Sequence, residues 1–460
     1  MMWPHVRFLF LYCNFPYLEY ETDTYYDPPE GYDDVYAPLT ANLCRMPKLQ
    51  NITVCHALRD GIPWEAIHAV VQVPQLRHLH IDGHLDGRNI LPHETERSLR
   101  FPVNSLATID YPSDGFRGVS ATEIKMFSVL LRQANTRRLL ETLTIPSECA
   151  PLDCLSAEEF PCLRKLSLIG RRNVLISPTH TQQFVPYISI LANMPRLRTL
   201  ALTLAQPINL PRQAIWPAGM GASFPCPDLE ELVVSYPHPD DEFYAHLPPT
   251  LRHLSLRCWP RHYLHLLEHD RKVMTDSFGW YSPILSSSEM LRILRRCPAH
   301  NVCQLEIDFE DDGSGGDLFR CIPDVFPRLQ QLVVHRYRRA GATPASVTTL
   351  AQALAPLRDL RVLLCHLDFE DAPHPFATDT DFSQLPPSLR RAADVLASSL
   401  APSVEVVGIL ERLDLANQYL CFRVTRDDQG VARIKQDQFV LERHGLSTQD
   451  MLGLSRPDWF

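Results

Sequence analysis

The residues best suited to chemistry lie together at His78-Leu-His80-Ile-Asp82. Side chains alternate across a strand, so His78, His80 and Asp82 would share one face. Two imidazoles and a carboxylate on one face form a donor set for Zn²⁺, which would activate water for hydrolysis. A second candidate is Asp308-Phe-Glu310-Asp-Asp312-Gly313, which matches positions 1, 3, 5 and 6 of a calcium loop. Position 12 of such a loop needs a bidentate Glu and is Phe319 here, so residues 308–317 are expected to be a solvated acidic Gly loop. The sequence has no G-x-S-x-G, Walker loop, G-x-G-x-x-G or kinase signature. Its 13 Cys are scattered without a C-x-x-C pair, which excludes a Cys-rich zinc site and points to a reducing, intracellular setting, cytoplasmic or nuclear.

The strand that would carry the histidines is one copy of a repeated form, Pro74-Gln-Leu76-Arg-His-Leu79-His-Ile81. The form returns at Pro47, Pro161, Pro195, Pro227, Pro249 and Pro327, and at the start as Pro4-His-Val6-Arg-Phe-Leu9-Phe-Leu11. Looser copies begin at Leu106, Leu140, Val302, Leu360 and Val404. That makes thirteen copies of L-x-x-L-x-φ, nine with Pro two residues before the first apolar position. From Leu49 to Val404 there are eleven intervals over 355 residues, a mean of about 32, which is a leucine-rich-repeat spacing. In this frame Leu76, Leu79 and Ile81 are core positions, and His78 and His80 fall on the outward-facing positions of a sheet strand.

The repeat explains two compositional excesses, 65 Leu and 39 Pro in 460 residues. Motif positions 1, 4 and 6 take the Leu. The Pro suits the point where a helix has ended and a strand begins, because it lacks an N–H and disfavours αR before it. Between strands, Ser120-Ala-Thr-Glu123 and Ser286-Ser-Ser-Glu289 read as capping boxes opening helices. Residues 63–73, 182–193, 344–355 and 387–400 also carry helical patterns. The expected fold is α/β: a right-handed solenoid (horseshoe) with a parallel sheet on its concave face and helices on its convex face. Many leucine-rich repeats place Asn or Cys three residues after position 6. No copy from Leu49 onward does so, so irregular repeats are expected.

Residues 1–412 are therefore assigned to the array, and 413–460 to a C-terminal capping region in which Leu420–Arg426 and Val431–Lys435 read as a β-hairpin. An acidic, Tyr-rich insertion, 19–36, joins the first two copies. The net charge of −10 argues against a nucleic-acid partner. No stretch reaches the ~18 apolar residues of a membrane span. Val6–Phe15 is apolar but lacks the basic start and cleavage site of a signal peptide.

A degenerate series of P-x-L-x-x-L-x-φ units resembles the leucine-rich-repeat region of fungal F-box proteins, over about residues 4–412. The F-box opening L-P-x-E-I-L and its later V-C-x-x-W are not found in this chain. The resemblance implies a substrate receptor of an SCF-type ubiquitin ligase, with a protein partner on the concave face. It implies a Skp-type adaptor and cullin only if an F-box exists. His78-x-His80-x-Asp82-x-His84 also resembles, imperfectly, the H-x-H-x-D-H of metallo-β-lactamase-like hydrolases, which implies a metallohydrolase as the remote alternative. The leading expectation is recognition without catalysis, metal or cofactor, with a stand-alone interaction scaffold as the alternative.

Outward positions 3, 5 and 7 of each copy define the expected partner-binding face. They supply Phe8, Phe10 and Tyr12 first, then His78, His80, Asp82, Lys165, Glu231, His253 and Arg257, and finally Glu306, Asp308, His335 and His366. The competing reading is that these are merely the solvated face of a parallel sheet.

Overall fold

The computed structural model describes residues 5–13, 36–56, 61–83, 85, 105–112, 121–171, 186–208, 210–220, 223–259, 279–281, 283–298, 300–338, 346–367, 385–412, 417–444 and 446. Two compact units divide the chain, Met1–Leu197 and Arg198–Phe460. All but one residue of the Tyr-rich insertion, and His84, lie outside the described residues.

Among the described residues the first unit holds six strands: β1 (Phe8–Cys13), β2 (Asn51–His56), β3 (His78–Asp82), β4 (Thr108–Asp110), β5 (Thr142–Pro146) and β6 (Lys165–Arg171). Each pairs in parallel with the next in chain order. Between them run α1 (Tyr36–Cys44), α2 (Trp64–Val71), α3 (Ala121–Arg132), α4 (Ala134–Leu139) and α5 (Leu152–Ala157), with α6 (Tyr187–Leu191) after β6. Core positions 1, 4 and 6 are fully shielded in the middle of the unit, as at Leu76, Leu79 and Ile81. In the first copy Val6, Leu9 and Leu11 are only half-buried. One repeat cannot bury its own apolar edge, and here no described strand precedes it.

The second unit continues the pattern with β7 (Thr199–Pro207), β8 (Glu231–Ser235), β9 (His253–Arg257), β10 (Trp280–Tyr281), β11 (Leu285–Ser286), β12 (Gln304–Asp311), β13 (Gln331–Arg338), β14 (Val362–His366) and β15 (Val406–Arg412). The order β7–β8–β9–β12–β13–β14–β15 is parallel throughout. β12 is long enough to pair with β9 along its first half and with β11 along its second. β10 adds antiparallel to β7. Then β16 (Asn417–Arg426) and β17 (Ala432–Gln436) reverse direction and add antiparallel to β15. The helices are α7 (Ser287–Arg296), α8 (Gly315–Val325), α9 (Val347–Leu354), α10 (Leu385–Ser399) and α11 (Val440–Arg443). Every one of the thirteen motif copies is thus a strand of a mostly parallel, solenoid-like α/β fold.

Two backbone devices set the register. The N–H of motif position 1 donates to the carbonyl three residues back at Leu49, Leu76, Leu163, Leu197, Leu229, Leu251, Leu329 and Val404, over 3.0–3.2 Å. Each closes a turn with Pro at its second position, where a pre-set φ of about −65° is wanted. The Pro is therefore turn chemistry, a more specific role than the helix-to-strand punctuation expected. Next, the carbonyl of motif position 2 accepts two bonds from the following copy, at its positions 2 and 3. Arg7 accepts from Gln50 and Asn51, Gln50 from Arg77 and His78, and so on through Arg361, which accepts from Glu405 and Val406. Eleven such carbonyls use both lone pairs at 2.8–3.1 Å. This main-chain ladder supplies the cross-link that an Asn or Cys side chain would otherwise provide.

The Ser286 capping box forms as its spacing requires, Ser286 accepting from the Glu289 N–H and Glu289 from the Ser286 N–H. The other expected box lies partly outside the described residues, at Ser120, and what is described of it is Glu123. It is 1% exposed, and its carboxylate takes bonds from the Tyr111 hydroxyl (3.2 Å) and the Cys149 thiol (3.3 Å). The 308–317 loop is also shorter than expected. Asp308 to Asp311 belong to β12, and Asp311 and Asp312 bind Ser287, Ser288 and the N–H groups opening α8.

One carboxylate of the first unit gives a pH prediction. The Glu148 side chain, 10% exposed, accepts from the Arg171 N–H at 2.6 Å and lies where a Cβ on Gly170 (φ +105°) would stand 2.6 Å from its Oε2. Burial pushes its carboxyl from 4.5 up to about 7 against the pull of those bonds. The unfolded chain then ionises first, so this group's stabilisation is complete below about pH 4.5 and lost by about pH 7. Glu148→Gln should remove a fall of about 3 kcal/mol across that window. Denaturant melts of both proteins between pH 4.5 and 8 check this; parallel curves would refute it.

Candidate functional site

In-register pairing turns the outward motif positions into rows across each sheet. In the first unit, position 3 gives Phe8, Asn51, His78, Thr108, Thr142 and Lys165, and position 5 gives Phe10, Thr53, His80, Asp110, Thr144 and Ser167. Position 7 adds Tyr12, Cys55 and Asp82. Phe8, Phe10 and Tyr12 are 68%, 63% and 64% exposed. His78, Asp82 and Lys165 are exposed and His80 is half-buried. The face is therefore open, with an aromatic wall at β1 and a polar floor across β2 to β4, and Lys165 on β6.

The floor bonds along its rows. His78 Nδ1 pairs with Thr108 Oγ1 at 3.0 Å and His80 Nδ1 with Asp110 Oδ2 at 2.9 Å. The Asp110 hydrogen bond raises the His80 imidazole above its usual range, and the same bond holds Asp110 below its own. Burial lowers His78, helped by neighbouring Arg77. Burial and Asp82 together raise the Cys55 thiol. His78, His80 and Asp82 do share a face, but each is engaged with an adjacent strand rather than aimed at a common point.

The second unit differs. Glu231 and His253 are half-buried and pair through Oε1 and Nδ1 at 3.2 Å, while Thr199 donates to Glu231 at 3.3 Å. Arg257 lies 3.7 Å from Glu306. Glu306, Asp308, His335 and His366, expected on an open face, are buried at 6%, 2%, 1% and 6% exposure. For His335 and His366 the cause is a cover. Tyr419 and Cys421 of β16 and Val440 and Leu441 of α11 pack with Val333, Tyr337, Val362, Leu364, Val406 and Leu410, with Ile284 and Leu446 at the margin. That face of β13 to β15 is the wall of a core around His335 and His366, and on β12 Glu306 and Asp308 are closed off by bonds to Ser255 and Cys258.

Under that cover the polar groups satisfy one another. His335 Nδ1 meets Asp308 Oδ1 and its Nε2 meets the Tyr419 hydroxyl, both at 2.7 Å. Asp308 Oδ2 accepts from the Cys258 N–H and thiol at 3.0 Å each, and Glu306 from the Ser255 hydroxyl at 2.5 Å. His366 Nδ1 lies 3.1 Å from the Arg336 carbonyl. Among the described residues, Glu306, Asp308 and His335 are the group whose ligand atoms fall within 4.8 Å of one another and could hold a metal ion. Both imidazole nitrogens already have partners, and the Arg257 guanidinium stands beside Glu306. The network closes on itself as a structural polar core. The composition carried a signal of this: Leu332-Val-Val334 and Val362-Leu-Leu-Cys365 are apolar at both phases of the strand, the mark of burial on two faces.

All thirteen cysteines are free thiols. Among the described residues no helix is long and apolar enough to cross a membrane. No family model matches the sequence, and no curated protein matches it. Among solved structures the chain is similar to one in the crystal structure of the yeast Rad7 and Elc1 complex, at 15% identity over 74% of this chain and 75% of that one, with a TM-score of 0.33.

Proposed function

We infer that this chain is a protein-recognition module, a leucine-rich-repeat solenoid that holds a partner protein on the inner face of its first unit. One observation carries this reading: three large aromatics on adjacent outward positions of β1 are about two-thirds exposed beside a polar floor of His78, His80, Asp82 and Asp110. Apolar side chains next to rigid, oriented polar groups are what a protein interface uses, and a sheet offers them already formed. The role in this reading is recognition without catalysis, with the Nδ1 atoms of His78 and His80 engaged by Thr108 and Asp110 along the rows. On the resemblance of the repeats, the recognition serves an F-box-like substrate receptor of an SCF-type ubiquitin ligase. The alternative is a stand-alone scaffold.

Affinity capture with the full chain tests both levels. Retention of a recombinant Skp-type adaptor and cullin supports the ligase role, and its absence leaves the scaffold. For the face, any partner bound by the wild type should bind at least tenfold more weakly to His80→Glu or Lys165→Glu. Arg77→Glu, exposed but at motif position 2, should bind as the wild type does. Equal binding by all three variants would move recognition off this face.

A further inference from the structure

We propose that β1 is a self-pairing edge through which two copies of this chain associate about a two-fold axis. Among the described residues, the strand pairing of β1 is to β2 alone, which leaves its other row of N–H and C=O groups as a template for a strand. Edges of this kind are normally blunted by Lys, Pro or a bulge. Phe8-Leu-Phe-Leu-Tyr-Cys13 has no charge, no Pro and no Gly.

The occupant is identified by the symmetry of the strand. A two-fold axis pairs β1 with its copy antiparallel, and an isologous contact requires the patch to complement itself. Centred on Phe10, the strand does so. Phe10 faces Phe10 and Phe8 faces Tyr12 on the inner side, while Leu9 faces Leu11 on the other. Each copy thus contributes three aromatics to cross-strand pairs, the pairs most favourable in a sheet. Arg7 falls opposite Cys13, so no like charges meet.

Area sets the strength. A buried aromatic covers about 150–250 Å², so residues 63–68% exposed leave on the order of 100–150 Å² each. Three per copy, with half-buried Leu9 and Leu11, fall below the ~800 Å² per partner of a stable interface. The association is therefore weak and reversible. Pairing would join the two aromatic walls into one strip of six side chains.

Sedimentation of the full chain over a concentration series should give a monomer–dimer equilibrium. Phe10→Glu, at an exposed position that brings two carboxylates together on the axis, should weaken it at least tenfold with an unchanged circular dichroism spectrum. The register has its own readout. Phe10→Cys should crosslink to itself under mild oxidation. Phe8→Cys should not, but should crosslink to Tyr12→Cys in a mixture, with the wild type as the background for native thiols. A monomer at all concentrations, a dimer indifferent to Phe10→Glu, or the reverse crosslinking pattern would overturn the proposal. The outcome is separable from partner recognition, because His80→Glu and Lys165→Glu leave β1 intact.

Discussion

Replacing His335 with alanine is expected to destabilise the Arg198–Phe460 unit by about 3–5 kcal/mol. For a unit of this size that lowers the melting temperature by on the order of 10 °C. His335 is 1% exposed and bonds Asp308, itself 2% exposed, at one nitrogen and the Tyr419 hydroxyl at the other. Truncation removes a donor or acceptor from each and leaves a cavity between β13 and β16. The largest part of the cost is the carboxylate, because a buried charge that loses a partner cannot turn to water. Tyr419→Phe removes one hydrogen bond and keeps the ring, so it should cost about 1–2 kcal/mol. Calorimetric melts of the three proteins check the order. If His335→Ala matches the wild type within 1 kcal/mol while partner capture falls, the residue is a recognition group after all.

Asp241→Ala should be nearly as damaging, for a different reason. Asp241 is 1% exposed and accepts three backbone N–H groups, from Ile215 (2.5 Å), Trp216 (2.9 Å) and Phe243 (3.0 Å). It caps the short 3₁₀ helix Glu242–His246 and pins the segment that carries Trp216. That segment is held further by Trp216 Nε1 donating to the Met220 carbonyl at 2.8 Å and by stacking of Trp216 against His246. Three orphaned N–H groups at about 1–3 kcal/mol each, partly relieved by water, give a loss of about 3–5 kcal/mol. Asp241→Asn can keep the two bonds to Oδ1 and should lose about half as much. Amide hydrogen exchange gives the local readout, since residues 212–220 should lose protection in Asp241→Ala well before the rest of the unit. Unchanged exchange there would show that the carboxylate does not hold this segment.

Strand phase was legible in the sequence because it is written by burial. Leu at positions 1, 4 and 6 has one place to go, and from Leu76 to Val404 it went there. The outward face was legible in the first unit for the same reason: His78 and Lys165 alternate against buried Leu79 and Leu166, and Phe8 against half-buried Leu9. It was misread in the second unit because alternation says which side a residue is on, not what lies over that side. Glu306, Asp308, His335 and His366 hold outward motif positions as expected, yet β16 and α11 pack over those positions on β13 to β15. That cover is made by residues far along the chain, Tyr419, Val440 and Leu441, which belong to no repeat. The spacing of Glu123 fits a capping box, while its partners Tyr111 and Cys149 lie inside the protein, where no local spacing announces them.

The doubly accepting carbonyl at motif position 2 has a consequence for how such a chain changes over generations. The link from copy to copy is made there by main-chain atoms, and the side chain stands in solvent in eleven of the thirteen copies, Ala107 and Cys303 being the other two. Its engagements are surface pairs such as Arg198 with Glu230 at 3.3 Å. Mutations at these sites meet little opposition from stability, and each rung closes between neighbours whatever the length of chain that loops out between them. A lineage built in this way can lose its kinship in sequence, and lengthen or shorten its copies, long before the stacked strands lose their register.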